Sequence, residues 1–191
     1  MHKIEAIKKI ELNKVAKIIF IALLGSLLLT ISAKVKIPFY PVPMTMQTFV
    51  VLFLGIALGP KIALLTVSLY LFEGIFGLPV FAGTPEKGIG FVYFTGPTMG
   101  YLVGFLVATY LAGNFKYENS FNFYKLFKNL IKLIFAVSFI YIFGLLWLGF
   151  LIGWDKPIFQ LGAQPFLLAE LFKMLILAII AGSLGKVKKF I

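Results

Sequence analysis

The chain has no cysteine, no arginine, one histidine and only seven acidic residues among 191. Without cysteine there is no disulfide, no thiolate metal ligand and no thiol nucleophile. The histidine is His2, at a chain end, where a catalytic base is poorly held. A nucleophile with a base in reach, or a set of metal ligands, has almost nothing to be built from. No enzymatic activity, resident metal or cofactor is therefore expected. Gly83 and Gly88 have the spacing of a phosphate-binding loop, but that motif needs Lys and Ser or Thr next. Ile89 and Gly90 stand there, so no nucleotide site follows. Long polar tracts, linkers and internal repeats are missing too. The longest polar interval is about 114–128.

What the chain does contain is apolar surface. Hydrophobic residues make up 61% of it, and mean hydropathy is +1.01. Soluble domains are about 45–50% apolar. A short chain has too much surface per volume to hide the excess from water, so lipid must cover the rest. The 18 lysines give a net charge of +11. They do not form one nucleic-acid patch. They flank apolar segments, as the basic ends of membrane helices do.

The apolar stretches lie near 18–33, 45–59, 61–76, 97–113, 129–153 and 165–185, which predicts about six spans in a single membrane domain over 18–185. Residues 1–17 read as a basic amphipathic segment on the membrane surface, and 186–191 as a basic tail. A cleaved signal is disfavoured, because similar segments follow at once. Several spans fall short of the ~20 residues that cross a bilayer. Such spans are re-entrant or border a cavity, and 45–59, after Pro38, Pro41 and Pro43, is the shortest and most irregular candidate. Lys3, Lys8, Lys9, Lys14, Lys17, Lys61, Lys116, Lys125, Lys128, Lys132, Lys186, Lys188 and Lys189 then share one side. Lys34, Lys36, Lys87 and Lys156 take the other. The positive-inside rule predicts both termini cytoplasmic. Gly55-x-x-x-Gly59, Gly96-x-x-x-Gly100-x-x-x-Gly104, Gly149-x-x-x-Gly153 and Ala22-x-x-x-Ser26 set small residues on single helix faces for close packing.

Charges inside spans cost about 2.5–3.5 kcal/mol each on insertion scales, so Glu73, Glu170 and Lys173 need a reason. Glu170 and Lys173, at i and i+3, share a helix face. They form either a self-neutralising internal pair or a ligand site. The carboxylate would accept N–H bonds and the ammonium would meet an anion. On the same outer side, Thr45, Gln47 and Thr48 enter an apolar stretch with aromatic neighbours, which suits a small amphipathic ligand or, for Thr45, a helix cap. The Gly- and Pro-rich loop 77–96 allows close backbone approach or is a packed connection.

Several stretches carry a family resemblance: Pro41-Val-Pro-Met-Thr-Met-Gln-Thr-Phe49 with Leu58-Gly-Pro60, Gly77-Leu-Pro-Val-Phe-Ala-Gly83, Gly96-Pro-Thr-Met-Gly-Tyr101, and Pro165-Phe166 followed by Glu170 and Lys173. In this order they resemble BioY, the biotin-specific S components of energy-coupling factor transporters. The resemblance implies an all-α integral membrane fold of about six helices, with a short or irregular second helix, in a prokaryotic cell membrane. It implies biotin captured from outside, a membrane coupling protein and two cytoplasmic ATPases as partners, though some members operate without a dedicated set. It places Glu170, where the family usually has Asp, on the ureido ring and Lys173 on the valerate carboxylate. Gln47, Thr45, Tyr70, Phe81, Gly83, Thr84 and Tyr101 complete the candidate binding residues. Ala22 and Ser26 correspond to an Ala-x-x-x-Ala contact for the coupling protein. An S component for another carboxylated vitamin, and a small membrane enzyme, are the competing readings.

Overall fold

The computed structural model describes residues 2–38, 40–119 and 122–189, with side chains of 2–11 and of 189 outside the description. The amphipathic pattern expected for the first eleven residues, and the end of the basic tail, thus lie outside the described residues. The described residues form seven α-helices: α1 (His2–Lys34), α2 (Gln47–Leu58), α3 (Pro60–Ile75), α4 (Met99–Asn114), α5 (Phe123–Ile152), α6 (Ile158–Gly162) and α7 (Leu167–Leu184). Residues 2–17, expected as a separate segment, continue into the first span without a break. α5 starts at Phe123, earlier than the hydropathy suggested, with Lys125 and Lys128 on its exposed first turns. Between α1 and α2 the chain forms a small antiparallel hairpin of β1 (Lys36–Ile37) and β2 (Met44–Thr45).

Among the described residues, three stretches are long and apolar enough to cross a membrane: Leu12–Lys34, Phe123–Ile152 and Ile158–Leu184. α2, with 12 residues, rises only about 18 Å, well short of a hydrocarbon core of about 30 Å. Its first turn ends inside the protein, where Gln47 and Thr48 are buried. Gly59, at φ +78, makes the corner between α2 and α3, and Pro60 opens α3. Proline suits this first position because its missing N–H has no helical partner there.

α4 is the centre of the bundle, packed on α2, α3 and α5, while α7 packs on α2 and α5. Small residues make these approaches possible. A side chain at Gly55 would strike the Thr109 carbonyl on α4, and one at Gly104 the Ile140 backbone on α5. The outward faces of α1, α5 and α7 leave Leu27, Ile31, Leu146, Phe150, Phe172 and Ile179 exposed. Such rows of exposed apolar side chains belong against lipid, and in water they would drive association.

Candidate substrate-binding site

α7 supplies the charged groups. Glu170 and Lys173 stand one turn apart on its buried face, with Nζ 2.8 Å from Oε1. Lys173 Nζ also donates to the Thr45 carbonyl at 2.6 Å and to Thr48 Oγ1 at 3.1 Å. Thr48 Oγ1 in turn donates to Glu170 Oε1 at 2.8 Å. An ammonium has three donors, so protein acceptors occupy all three. Glu170 is different. Its Oε1 accepts twice, while Oε2 is buried with no hydrogen bond of good geometry, and the Tyr141 phenol faces the same carboxylate. A buried acceptor left this way costs about 1–3 kcal/mol, which a ligand donor would recover.

Glu170 lines a narrow cleft with room for about 50 Å³ of water centres, or about 530 Å³ when all the space out to its open mouth is counted. The hairpin and α2 contribute Val42, Pro43, Met44, Thr45, Gln47 and Thr48. The loop between α3 and α4 contributes Ala82, Tyr93 and Thr98. Tyr101, Leu102 and Phe105 come from α4, Ile140 and Tyr141 from α5, and Phe166 from the turn before α7. A mainly apolar, aromatic wall with a few fixed polar groups is the usual form of a small-molecule site.

The polar groups of this wall are held in place. Gln47 Nε2 donates to Tyr70 Oη at 2.7 Å, and Tyr70 Oη donates to the Val80 carbonyl at 3.1 Å. Thr45 Oγ1 donates to Gln47 Oε1 at 3.2 Å. Tyr101 Oη donates to the Gly162 carbonyl at 2.9 Å, and Tyr93 Oη to the Ala82 carbonyl at 2.8 Å. Burial pushes the Tyr93 phenol above its ordinary range, so it stays a neutral donor. Both phenols thus spend their hydroxyls on protein and offer rings to the cavity. Tyr101 meets the Tyr141 ring edge-on at 6.1 Å.

A separate cluster fixes the loop that covers this region. Phe81 is in the core, stacked on Tyr93 at 4.7 Å and edge-on to Tyr70 at 5.2 Å. Its ring fills the space that a side chain at Gly74 would take. Gly83 turns the chain at φ +80, a conformation glycine adopts without strain. Thr84 Oγ1 bonds the Phe81 carbonyl at 2.7 Å. Lys34, at the end of α1, latches the loop with Nζ bonds to the carbonyls of Pro79 at 2.8 Å and Phe81 at 3.0 Å and to Thr84 Oγ1 at 3.0 Å.

Of the residues singled out from sequence, Thr45, Gln47, Tyr101 and Glu170 line the cavity together. Lys173 sits behind Glu170 and is not part of the wall. Tyr70 lies behind Gln47, while Phe81, Gly83 and Thr84 build the loop beside the cavity. Glu73 accepts from Ser26 Oγ at 2.9 Å. Ala22 and Ser26 are 2% and 3% exposed, so the row expected to meet a coupling protein is turned inward, on the side of α1 that packs on α3. Sequence reasoning missed Tyr93, Tyr141 and Lys34. A phenol in the middle of an apolar segment was the available signal for Tyr141. Lys34 was counted only as a flanking charge. Among the described residues, no group of three or more His, Asp, Glu or Cys stands where it could hold a metal.

Comparison with known proteins agrees with this architecture. The chain matches the BioY family over residues 5–190. It is 32% identical to a probable biotin transporter of Pyrococcus horikoshii, covering 87% of this chain and 94% of that one. It is 34% identical to a biotin transporter of Thermotoga maritima, covering 84% and 91%. The crystal structure of the S component for biotin from an ECF-type ABC transporter superposes with a TM-score of 0.72 at 27% identity, over 91% of this chain and 93% of that chain. These relatives are transport proteins, and the apolar helices make this chain a multi-pass membrane protein. With the family matched across almost its whole length, and the same fold seen in a solved relative, the chain belongs to the BioY family.

Proposed function

We propose that the chain is a biotin-binding transport subunit, which captures its ligand in the cavity beside Glu170. The observation that carries the reading is the Glu170 Oε2 atom, buried without a hydrogen bond of good geometry in a mainly apolar wall. A ureido N–H is a donor of the right kind for it, and the rings of Tyr93, Tyr101 and Tyr141 suit the apolar body of biotin. Lys173 holds Glu170 in place, because its three donors serve Glu170, Thr48 and Thr45. Gln47, fixed by Tyr70, is a second polar contact in reach.

The hairpin and the loop over 76–98 lie at the outer face, so the ligand enters from outside. The membrane is a prokaryotic inner membrane, and the lysine distribution supports both termini lying in the cytoplasm. The chain carries no nucleotide motif, so a coupling protein and two cytoplasmic ATPases supply any energised release. Calorimetry with biotin on the detergent-solubilised chain tests the ligand and the site together. Tight one-to-one binding that falls by about ten-fold or more in Glu170→Gln supports the reading. A folded wild type that ignores biotin refutes it.

A further inference from the structure

The end of the bundle opposite the cavity carries a second recess of about 620 Å³, counting its open side. It lies about 24 Å along α7 from Glu170, by helical rise. Lys116, Tyr117 and Asn119 from the loop after α4, Gly182 on α7, and Gly185, Lys186 and Lys188 just beyond its end line it. No acidic residue is among them. The nearby Glu118 is turned to Lys125 and Lys128 at 3.9 and 4.0 Å. Among the described residues, the ammonium groups of Lys116, Lys186 and Lys188 make no hydrogen bond or ion pair.

The recess is built, not merely a scatter of surface lysines. Asn129, fully buried on α5, clamps its rim. Its Nδ2 donates to the carbonyls of Glu118 at 2.8 Å and Ala178 at 3.2 Å, and its Oδ1 accepts from Glu118 N at 3.2 Å. A side chain at Gly182 would strike the Glu118–Asn119 backbone, so the loop sits directly on α7. The Tyr117 hydroxyl is buried without a hydrogen-bond partner, and burial raises its pKa, so it remains a donor. Lysines here also complement the C-termini of α4 and α7. The last helical hydrogen bonds there run from Phe115 N to the Leu111 carbonyl and from Gly185 N to the Ala181 carbonyl, and among the described residues none of the three ammonium groups bonds a carbonyl.

Three free cations, an amide and an unpaired phenol around one concavity form a site for an oxyanion. We propose that it binds a phosphate ester, with an anionic phospholipid head group as the source its position favours. Ile179 and Ile180, one turn before the recess, are exposed and give acyl chains an apolar track. Basic recesses between membrane helices hold such head groups in this way.

Native mass spectrometry of the full chain in neutral detergent tests the proposal, with phosphatidylglycerol, phosphatidylcholine and inorganic phosphate as probes. Phosphatidylglycerol is expected to be retained about five-fold or more over phosphatidylcholine. The variant Lys116→Gln/Lys186→Gln/Lys188→Gln should lose that preference, and Lys36→Gln/Lys87→Gln/Lys156→Gln at the other end should keep it. The pair Lys186→Gln/Lys188→Gln, just beyond α7, serves if the triple variant does not fold. Displacement of the lipid by millimolar phosphate would make the free anion an occupant of the same site. No displacement identifies the lipid. A preference that survives in the triple variant overturns the proposal. So does a preference that survives while binding to a coupling protein is lost, which makes the lysines a protein-docking surface.

Discussion

Lys173 can be tested by removing its charge and keeping most of its volume, as Lys173→Met does. In the structure its ammonium touches Glu170 Oε1 at 2.8 Å, Thr48 Oγ1 at 3.1 Å and the Thr45 carbonyl at 2.6 Å. No donor remains for a ligand carboxylate unless one of these is released. A hydrogen bond to a charged group contributes about 1.5–3 kcal/mol. Losing the hold on Glu170 should therefore weaken ligand binding roughly 10- to 150-fold. The loss acts on the carboxylate that meets the ureido end. Biotin and biotin amide should suffer alike, with their affinity ratio unchanged within about three-fold. Calorimetry with both ligands on wild type and Lys173→Met measures that ratio, and Lys173→Gln serves if the methionine variant does not fold. A ten-fold or greater selective loss for biotin would refute the reasoning and put Lys173 on the valerate carboxylate.

Further outcomes are expected for four other variants. Tyr70→Phe removes the hydroxyl that orients Gln47, and biotin affinity should fall by about five-fold by calorimetry, a neutral hydrogen bond being worth about 1 kcal/mol. Unchanged affinity would remove Gln47 from the site. Lys34→Met unlatches the loop over 76–98, so limited trypsin cleavage after Lys87 should quicken by about ten-fold, and biotin should slow it again. Gly104→Leu drives a side chain into the Ile140 backbone and should lower the melting temperature measurably, overpacking costing about 1–3 kcal/mol. Gly77→Ala, where no atom lies within 4 Å of the added methyl, meets no packing clash; its cost comes from the φ of +93 alone.

The lysine-flanked apolar segments were enough to establish a membrane protein, because no water-facing fold of this length hides so much hydrocarbon. The shortness of α2 was legible in the prolines before it and in its length against the bilayer. The pairing of Glu170 with Lys173 was legible because i and i+3 meet on any helix. Other features needed the assembled bundle. Thr45 and Thr48 take the Lys173 donors from more than 120 residues away in the chain, and no local pattern encodes that. The same holds for Lys34 on the loop carbonyls and for Asn129 across α5, α7 and the loop after α4. The rotation of α1 was hidden for a different reason. In a soluble helix the polar face marks the outside, but here both the lipid-facing and the inward faces are apolar. Ala22 and Ser26 looked equally suited to a partner or to the core, and only the seating of α1 against α3, with Ser26 on Glu73, turned them inward.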